Sequence, residues 1–216
     1  MEHARPLPKH LVQRYHGWKD TTFADNRVLY KRLVDEGQHP HSMVISCCDS
    51  RVNVTSIFGA GPGEFFIHRN IANLVPPYNA SGERLATPAA LEYAITTLNV
   101  AHVIVMGHSN CGGVAGCHAM CSGKAPELED DASFVGRWID ILRPGFKRLD
   151  TTLDHDQQIA TLEKEAIKIS LENLMTFPFV LAAIKDDRVM LHGLWTDIGT
   201  GELHQYVPEQ DQFLPI

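Results

Sequence analysis

The sequence predicts an α/β fold built around a mostly parallel central β-sheet that is flanked by helices. Short apolar runs rich in β-branched residues, such as 42–48 and 102–106, alternate with longer segments whose apolar residues follow helical spacing. The short runs are apolar throughout, which is typical of strands buried on both faces of a parallel sheet. No repeat or low-complexity segment divides the 216 residues, so we predict one domain over 1–216.

Residues 1–37 are predicted to form an N-terminal helical arm. Leu11, Tyr15 and Trp18 fall at i, i+4 and i+7, and residues 29–34 carry a second apolar stripe. The first stripe is short and aromatic-rich, so we expect the arm to lie across another subunit. Gly37 and Pro40 end this region, which leaves 38–216 as the α/β core.

The core is predicted to contain strands at 42–48, 64–68, 102–106, 188–195 and 202–207. Gly-Thr-Gly at 199–201 separates the last two strands and predicts a C-terminal β-hairpin. Thr87 and Pro88 are expected to be the N-cap and first residue of a helix. Further helices are predicted over 134–149, interrupted at Pro144, and over 158–184, broken at Pro178.

Composition excludes several classes of protein. The formal charge of −7 argues against a nucleic-acid partner. No apolar stretch approaches the roughly 20 residues that span a bilayer, so we expect no membrane segment. Residues 1–10 lack the apolar run of a secretory signal, so we expect a cytoplasmic protein. Five cysteines, an odd number, favour free thiols or metal ligands over a disulfide scaffold.

Two clusters of reactive side chains follow predicted strands. The first is Cys-Cys-Asp-Ser-Arg at 47–51, and the second is Gly-His-Ser-Asn-Cys-Gly-Gly at 107–113. The carboxyl ends of parallel strands form the edge where ligands bind. On extended backbone Cys47, Asp49 and Arg51 share one face.

Two sulfurs and one imidazole, from Cys47, His108 and Cys111, suit zinc, and three protein ligands leave a fourth position free as in catalytic sites. Asp49 is the natural group to close that position, and Arg51 is the natural partner to hold Asp49 away. Zinc would then lower the pKa of a bound water to about 7, and the resulting hydroxide would attack a small electrophilic carbon. Asp49 would accept a hydrogen bond from that hydroxide.

The remaining cysteines and nearby histidines have ordinary interpretations. Cys48 is expected to point into the core, opposite to Cys47. Cys117 and Cys121 lie at i and i+4 of a predicted helix; packing is favoured, with a redox pair or second metal site as alternatives. The histidines that flank this region are expected to lie at the surface or to form hydrogen bonds, although one of them could relay protons: His39, His41 and His68.

The sequence resembles the β-class carbonic anhydrases. The family patterns Cys-x-Asp-Ser-Arg and His-x-x-Cys-Gly-Gly are met at 47–51 and 108–113. Segments 62–64, 69–75 and 90–94 also resemble the family, so the similarity runs in register from 38 to 113. It continues more weakly at 173–180 and 191–197. Several linked motifs in one order make the resemblance specific.

The resemblance implies an enzyme, a zinc lyase that interconverts carbon dioxide and bicarbonate. It implies zinc on Cys47, His108 and Cys111, with Asp49 and Arg51 as the catalytic pair. It also implies a self-associated dimer or tetramer of the plant-like branch. The substrate pocket it implies is lined by Gln38, Phe66, Tyr93 and Gly112.

Some members of the family are switched off by bicarbonate bound beside the active site. That branch carries a Trp three residues before the first Cys ligand and a Tyr in the late strand, where this sequence has Val44 and Thr196. Only the Arg of that site matches, as Arg69. We therefore predict an open zinc site with Asp49 paired to Arg51.

Two other functions compete with this interpretation. A relative could hydrolyse carbonyl sulfide or carbon disulfide on the same site. Alternatively, zinc could stabilise a scaffold without turnover, which predicts four protein ligands to the metal.

Overall fold

The computed structural model describes residues 3–79 and 86–216. The chain separates into two compact units, Met1–His39 and Pro40–Ile216. The boundary falls two residues beyond the predicted end of the arm at residue 37, and Gln38 therefore belongs to the N-terminal unit.

The N-terminal unit is helical. Helix α1 spans Lys9–Trp18, a π-helical turn covers Lys19–Phe23, and α2 spans Arg27–Glu36. The rings of Trp18, Phe23 and Tyr30 pack on one another with centroids 5.0 to 6.1 Å apart. Gly37 then ends α2 with a φ of 81°, a conformation that glycine adopts without strain. The helices predicted from the two apolar stripes are confirmed.

The second unit is built on a six-stranded sheet in the order β2-β1-β3-β4-β5-β6. Strands β2, β1, β3 and β4 run parallel, β5 pairs antiparallel with β4, and β6 pairs antiparallel with β5. The mostly parallel sheet that the apolar runs predict is confirmed. The strand bounds are β1 Ser42–Cys47, β2 Phe65–Asn70, β3 His102–His108, β4 Met190–Thr196, β5 Leu203–Val207 and β6 Gln212–Pro215.

Helices cover the sheet and connect its strands. A π-helical turn, Tyr93–Thr97, continues α4, and 3-10 turns occur at Ile71–Asn73, Pro126–Glu129 and Asp140–Leu142. An Asp154–Gln157 capping box starts the long helix α8. The helices are α3 Val54–Ile57, α4 Ala86–Glu92, α5 Gly112–Cys121, α6 Phe134–Ile139, α7 Arg143–Phe146, α8 His155–Leu174 and α9 Pro178–Lys185.

Two glycines let α8 lie close to the sheet. A Cβ at Gly107 of β3 would stand 2.8 Å from Ile167 Cδ1, and one at Gly193 of β4 would stand 2.9 Å from Ile167 Cγ2. Ile167 is fully buried in the main core cluster together with Val103 and Val105. The packing of Ile167 against these two glycines sets the distance between α8 and strands β3 and β4.

The helical region predicted over 134–149 is present as α6, a 3-10 turn and α7, and the predicted interruption at Pro144 lies in the first turn of α7. Two details of the predicted elements were wrong. Thr87 is not an N-cap but a buried residue inside α4, where its Oγ1 contacts His68 Nε2 at 2.9 Å. Strand β6 was missed, so the predicted C-terminal hairpin is present as β4 and β5 but continues into a third strand, which pairs antiparallel with β5.

No single helix in the part of the chain that the structure describes is long and apolar enough to cross a membrane. Helices α8 and α9 reach that length and apolarity only as a pair, and they are bent by 84° relative to each other.

Candidate active site

The sheet brings two distant cysteines and a histidine together. β1 lies beside β3 in parallel register, with Ser46 opposite Met106, so the loops that follow both strands leave the same edge. The Sγ atoms of Cys47 and Cys111 are 3.9 Å apart. Together with a ring nitrogen of His108, the ligand atoms lie within 4.8 Å of one another, and all three residues are buried.

A backbone hydrogen bond orients the His108 ring. Nδ1 lies 2.9 Å from the carbonyl oxygen of Ser109, which can only accept, so Nδ1 carries the proton. In the neutral ring Nε2 then has the free lone pair, and it is buried without a hydrogen-bond partner. Ser109 is itself fixed, because its Oγ accepts a hydrogen bond from the backbone of Ile198 at 2.9 Å. The imidazole is thereby prepared to act as a metal ligand.

The segment from His108 to Gly113 depends on the residues at positions 110 and 113. Asn110 has a φ of 57°, in the left-handed region that Asn tolerates better than most residues. A Cβ on Gly113, in the first turn of α5, would stand 2.6 Å from Ile71 Cγ2. The close packing of α5 against the segment after β2 therefore requires a glycine at 113. At Gly112 a Cβ would meet no atom within 4 Å, so this position leaves open space beside the cluster.

These residues fit a zinc ion. Zinc–sulfur bonds of 2.3 Å in a tetrahedron separate two sulfurs by about 3.8 Å. The observed 3.9 Å between Cys47 and Cys111 agrees with that spacing. The unpartnered Nε2 of His108 supplies the third ligand, and two sulfurs with one imidazole are a donor set that zinc prefers.

The two thiols are coupled to each other. The Cys111 side chain is the main reason that the pKa of the Cys47 thiol lies well below its ordinary value. The same contact, followed by burial, raises the pKa of Cys111. Without a metal, the pair therefore shares one negative charge. A dication would favour loss of the second proton, because metal ligation requires the thiolate.

Asp49 and Arg51 form a bidentate pair at the mouth of the cluster. Arg51 Nε and Nη2 donate to Asp49 Oδ1 and Oδ2 at 2.9 and 2.7 Å, and the backbone N–H of Arg51 also donates to Oδ1 at 2.9 Å. The Arg51 side chain is the principal cause that holds the pKa of Asp49 well below its usual range. Asp49 Oδ2 lies 4.0 Å from His108 Nε2, so an ionised carboxylate faces the cluster.

Arg51 also connects the two halves of the site. Its Nη2 donates to the carbonyl oxygen of Asn110 at 2.9 Å, in the loop between the two ligands that follow β3. A displacement of Arg51 would therefore disturb both Asp49 and the ligand loop.

Arg69 donates hydrogen bonds to three backbone carbonyls of the segment that follows β1. Its Nε donates to the carbonyl of Cys47 at 2.9 Å, and its Nη2 donates to the carbonyls of Asp49 and Val52 at 2.7 and 3.0 Å. Val44 is fully buried and Thr196 is 5% exposed. Arg69 thus stabilises the loop that carries Cys47 and Asp49.

Sequence analysis missed one buried carboxylate beside the cluster. Glu163 Oε1 accepts the backbone N–H of Cys111 at 3.1 Å, and Oε2 accepts the indole N–H of Trp195 at 3.3 Å. Burial is the main cause that raises the pKa of Glu163. A signal for it exists in the sequence, because Glu163 precedes Ile167 and Ser170 by four and seven residues and so interrupts the buried stripe of α8.

The predicted pocket residues lie on different elements. The rings of Phe66 on β2 and Tyr93, in the π-helical turn that continues α4, have centroids 5.9 Å apart. Tyr93 is 45% exposed, so one face of this aromatic pair is open. Gln38 follows α2 and belongs to the N-terminal unit.

The prediction that Cys48 points into the core is wrong, because Cys48 is exposed. Strand β1 ends at Cys47, so the run of buried side chains does not extend to Cys48. Cys117 is buried on α5 with Cys121 beside it, their sulfurs 3.9 Å apart. Burial raises the pKa of Cys117 and of Cys121, which agrees with the packing role.

Two thiols, one imidazole and an ionised carboxylate at the carboxyl edge of a parallel sheet are typical of a catalytic metal centre in an α/β enzyme. The sequence profile of the family described as carbonic anhydrase matches residues 42–203 of this chain, which contain all four groups. The chain belongs to the carbonic anhydrase family, a family of lyases, and its relatives are of the β class.

The chain is 37% identical over 187 residues to beta carbonic anhydrase 3 of Arabidopsis thaliana. The aligned region covers 85% of this chain and 70% of that relative. It is 36% identical over 186 residues to the chloroplastic beta carbonic anhydrase 5 of the same plant, and spans 59% of that longer protein.

Solved structures agree with the fold. The β-carbonic anhydrase CcaA matches with a TM-score of 0.87 and 29% identity, over 96% of this chain and 91% of the other. A tetrameric β-carbonic anhydrase structure from Sordaria macrospora matches with a TM-score of 0.72 and 27% identity, over 91% and 95% of the two chains.

Proposed function

We propose that this protein catalyses the reversible hydration of carbon dioxide to bicarbonate and a proton, with zinc held by Cys47, His108 and Cys111. The observation that carries the proposal is the cluster of these three ligand atoms within 4.8 Å of one another, facing an aspartate that Arg51 holds in its ionised form. Membership of the carbonic anhydrase family supports the reaction.

Bound zinc would supply a Lewis acid that makes water nucleophilic near neutral pH. Three protein ligands leave one tetrahedral position for that water. We assign Asp49 Oδ2 as the acceptor that orients the water, because it lies 4.0 Å from His108 Nε2 on the open side of the cluster. Arg51 fixes both oxygens of Asp49, so the acceptor is positioned before substrate arrives.

The substrate side of the site in the second unit is assigned to Phe66, Tyr93 and Gly112. Carbon dioxide is small and apolar, and the Phe66–Tyr93 ring pair supplies apolar walls. Gly112 leaves the space that a Cβ would narrow. The amide of Gln38 is proposed to donate a hydrogen bond to a substrate oxygen, as the family resemblance implies.

We further propose that the site stays open, without a bicarbonate switch. Arg69, the one matching residue of that switch, donates to three backbone carbonyls, and Val44 and Thr196 lack the aromatic groups that would complete an anion pocket. Both carboxylate oxygens of Asp49 accept hydrogen bonds from the Arg51 guanidinium, which supports an Asp49 held away from the metal.

The protein is proposed to act as a dimer or tetramer. Leu11, Tyr15 and Trp18 of α1 are 40%, 50% and 41% exposed and share one face of the helix, which a second subunit would cover. The Sordaria macrospora relatives are described as tetrameric. Light scattering at micromolar concentration should give at least twice the 24.1 kDa chain mass, and a monomer would contradict the assignment.

The test of the reaction is stopped-flow carbon dioxide hydration by the zinc-loaded protein, with zinc content measured on the same sample. We expect about one zinc per chain and hydration well above the buffer rate. Sulfide release from carbonyl sulfide, without hydration, would instead identify the hydrolase. Bound zinc with no turnover from mildly acidic to alkaline pH would indicate a zinc-stabilised scaffold.

A further inference from the structure

A buried carboxylate outside the proposed ligand set touches the ligand loop. Glu163 is 3% exposed in the middle of α8. Ile167, one turn later on the same helix, is packed against Gly107 and Gly193, so the helix is held close to the ends of β3 and β4. This packing places Glu163 beside the segment that runs from His108 to Cys111.

Both oxygens of Glu163 have a defined donor. Oε1 accepts the backbone N–H of Cys111 at 3.1 Å, and Oε2 accepts the indole N–H of Trp195, on β4, at 3.3 Å. Cys111 is the N-cap of α5, and its own N–H lies outside the helical ladder. A buried N–H without an acceptor is costly, so the carboxylate has a strong effect on the position of this residue.

We infer that Glu163 is a positioning residue for the metal ligand Cys111, holding its backbone between α8 and the end of β4. The inference rests on the proposed zinc site. Glu163 acts through the backbone of Cys111 and not on substrate. Its role is to fix where the Cys111 sulfur stands relative to Cys47 and His108. Outer groups that orient metal ligands typically change metal affinity 10- to 100-fold when they are altered.

The two donors make Glu163→Gln an informative variant. An amide has only one oxygen, so it can accept from Cys111 or from Trp195, and its NH2 group must then face the other N–H. Trp195→Phe removes one of these donors while keeping an aromatic ring under Lys164, whose Nζ lies 5.0 Å from the Trp195 ring. In the double variant Glu163→Gln/Trp195→Phe, the amide oxygen can serve Cys111 without a donor conflict.

The experiment measures zinc affinity by chelator competition and the thiolate-to-metal absorption of the cobalt-substituted protein. We expect Glu163→Gln to weaken zinc binding by about 10- to 100-fold and to shift the cobalt spectrum. The double variant should recover most of that loss. Glu172→Gln, on the same helix but paired with Arg148 at the surface, is the matched control and should equal wild type.

An affinity and cobalt spectrum for Glu163→Gln equal to those of wild type would overturn the inference, even if the variant unfolds more easily. If Glu163→Gln does not fold, Trp195→Phe alone carries the test. Loss of the hydrogen bond from the Trp195 indole to Glu163 should weaken zinc binding severalfold. An unchanged zinc affinity and cobalt spectrum would overturn the inference. Wild-type protein that binds no zinc and hydrates no carbon dioxide would contradict the proposed function instead, so the two failures are distinguishable.

Discussion

The sulfur atoms of Cys47 and Cys111 lie 3.9 Å apart although 64 positions separate them in the chain. Cys47 stands at the end of β1, whereas His108 and Cys111 come from the segment at the end of β3. The cluster therefore exists only when β1 and β3 are paired in register, and metal binding is coupled to folding of the sheet.

The first prediction concerns Cys111→Ala. Removing one of three ligands should abolish stable zinc binding and lower carbon dioxide hydration by at least about 100-fold. Metal analysis and stopped-flow assays on one preparation check both effects. Cys121→Ser is the matched control, because Cys121 lies at the far end of the same helix, outside the cluster, and should keep its zinc. A Cys111→Ala protein with a full zinc complement would contradict this ligand assignment.

The second prediction concerns Arg51→Ala. Without the guanidinium, the pKa of Asp49 should rise from its lowered position toward the ordinary carboxyl value of about 3.9. The carboxylate would remain ionised at neutral pH but would no longer be held, so it could bind the metal and close the fourth position. We expect zinc to be retained while hydration falls by about 100-fold, since a small misplacement can have that effect.

X-ray absorption should then report the Asp49 carboxylate among the zinc ligands of Arg51→Ala. Arg32→Ala, which removes a surface guanidinium 4.0 Å from Glu36, is the control and should leave hydration unchanged. Activity of Arg51→Ala close to that of wild type would refute the holding role of Arg51.

The third prediction concerns the close approach of α8 to β3. Gly107→Ala would place a Cβ 2.8 Å from Ile167 Cδ1, so the free energy of unfolding should fall by about 1–3 kcal/mol. Adding Ile167→Val removes that Cδ1 atom and should restore part of the loss. Gly17→Ala is the control, because its Cβ meets nothing within 4 Å in a helix, and it should match or exceed wild type. Urea unfolding measures wild type, these three variants and the Ile167→Val single variant, and additive effects at 107 and 167 would exclude the contact.

The fourth prediction concerns pH. His102 Nδ1 and His192 Nε2 are 3.0 Å apart, and burial, followed by the charge of His102, lowers the pKa of His192. The unfolded chain therefore takes up this proton at a higher pH than the folded chain. The contribution of His192 to the free energy of unfolding should be constant above about pH 7 and should decrease as pH falls through the ordinary histidine value of about 6.5.

The slope from one such proton cannot exceed about 1.4 kcal/mol per pH unit. His192→Gln should reduce the loss of stability between pH 7.5 and 5.5 in urea unfolding, whereas His10→Gln, at an exposed position of α1, should not. Protonation of the zinc ligands contributes equally to both variants. Identical pH dependence in wild type and His192→Gln would contradict the prediction.

Sequence analysis predicted the parallel sheet and the cluster because both depend on local patterns. Continuous apolar runs at 42–47 and 102–106 mark strands buried on both faces. The reactive residues stand directly after these strands, so parallel pairing brings Cys47, His108 and Cys111 to one edge. The Asp49–Arg51 pair follows from the spacing of two residues in the same loop.

The contacts that sequence could not predict join residues from distant elements. Glu163 meets Cys111 and Trp195 only because α8 packs on two glycines of different strands. The sequence predicted Thr87 as a helix N-cap, yet Thr87 lies inside α4 and its hydroxyl contacts His68 on β2. Cys48 was placed in the core by extending strand alternation one residue too far, since β1 ends at Cys47.

The most direct test of the account is a crystal structure of the zinc-loaded protein near neutral pH, with anomalous scattering measured at the zinc edge. We expect one zinc bound by Cys47 Sγ, His108 Nε2 and Cys111 Sγ, with Asp49 still paired to Arg51. Zinc bound elsewhere, or Asp49 bound to it as the fourth protein ligand, would contradict the account.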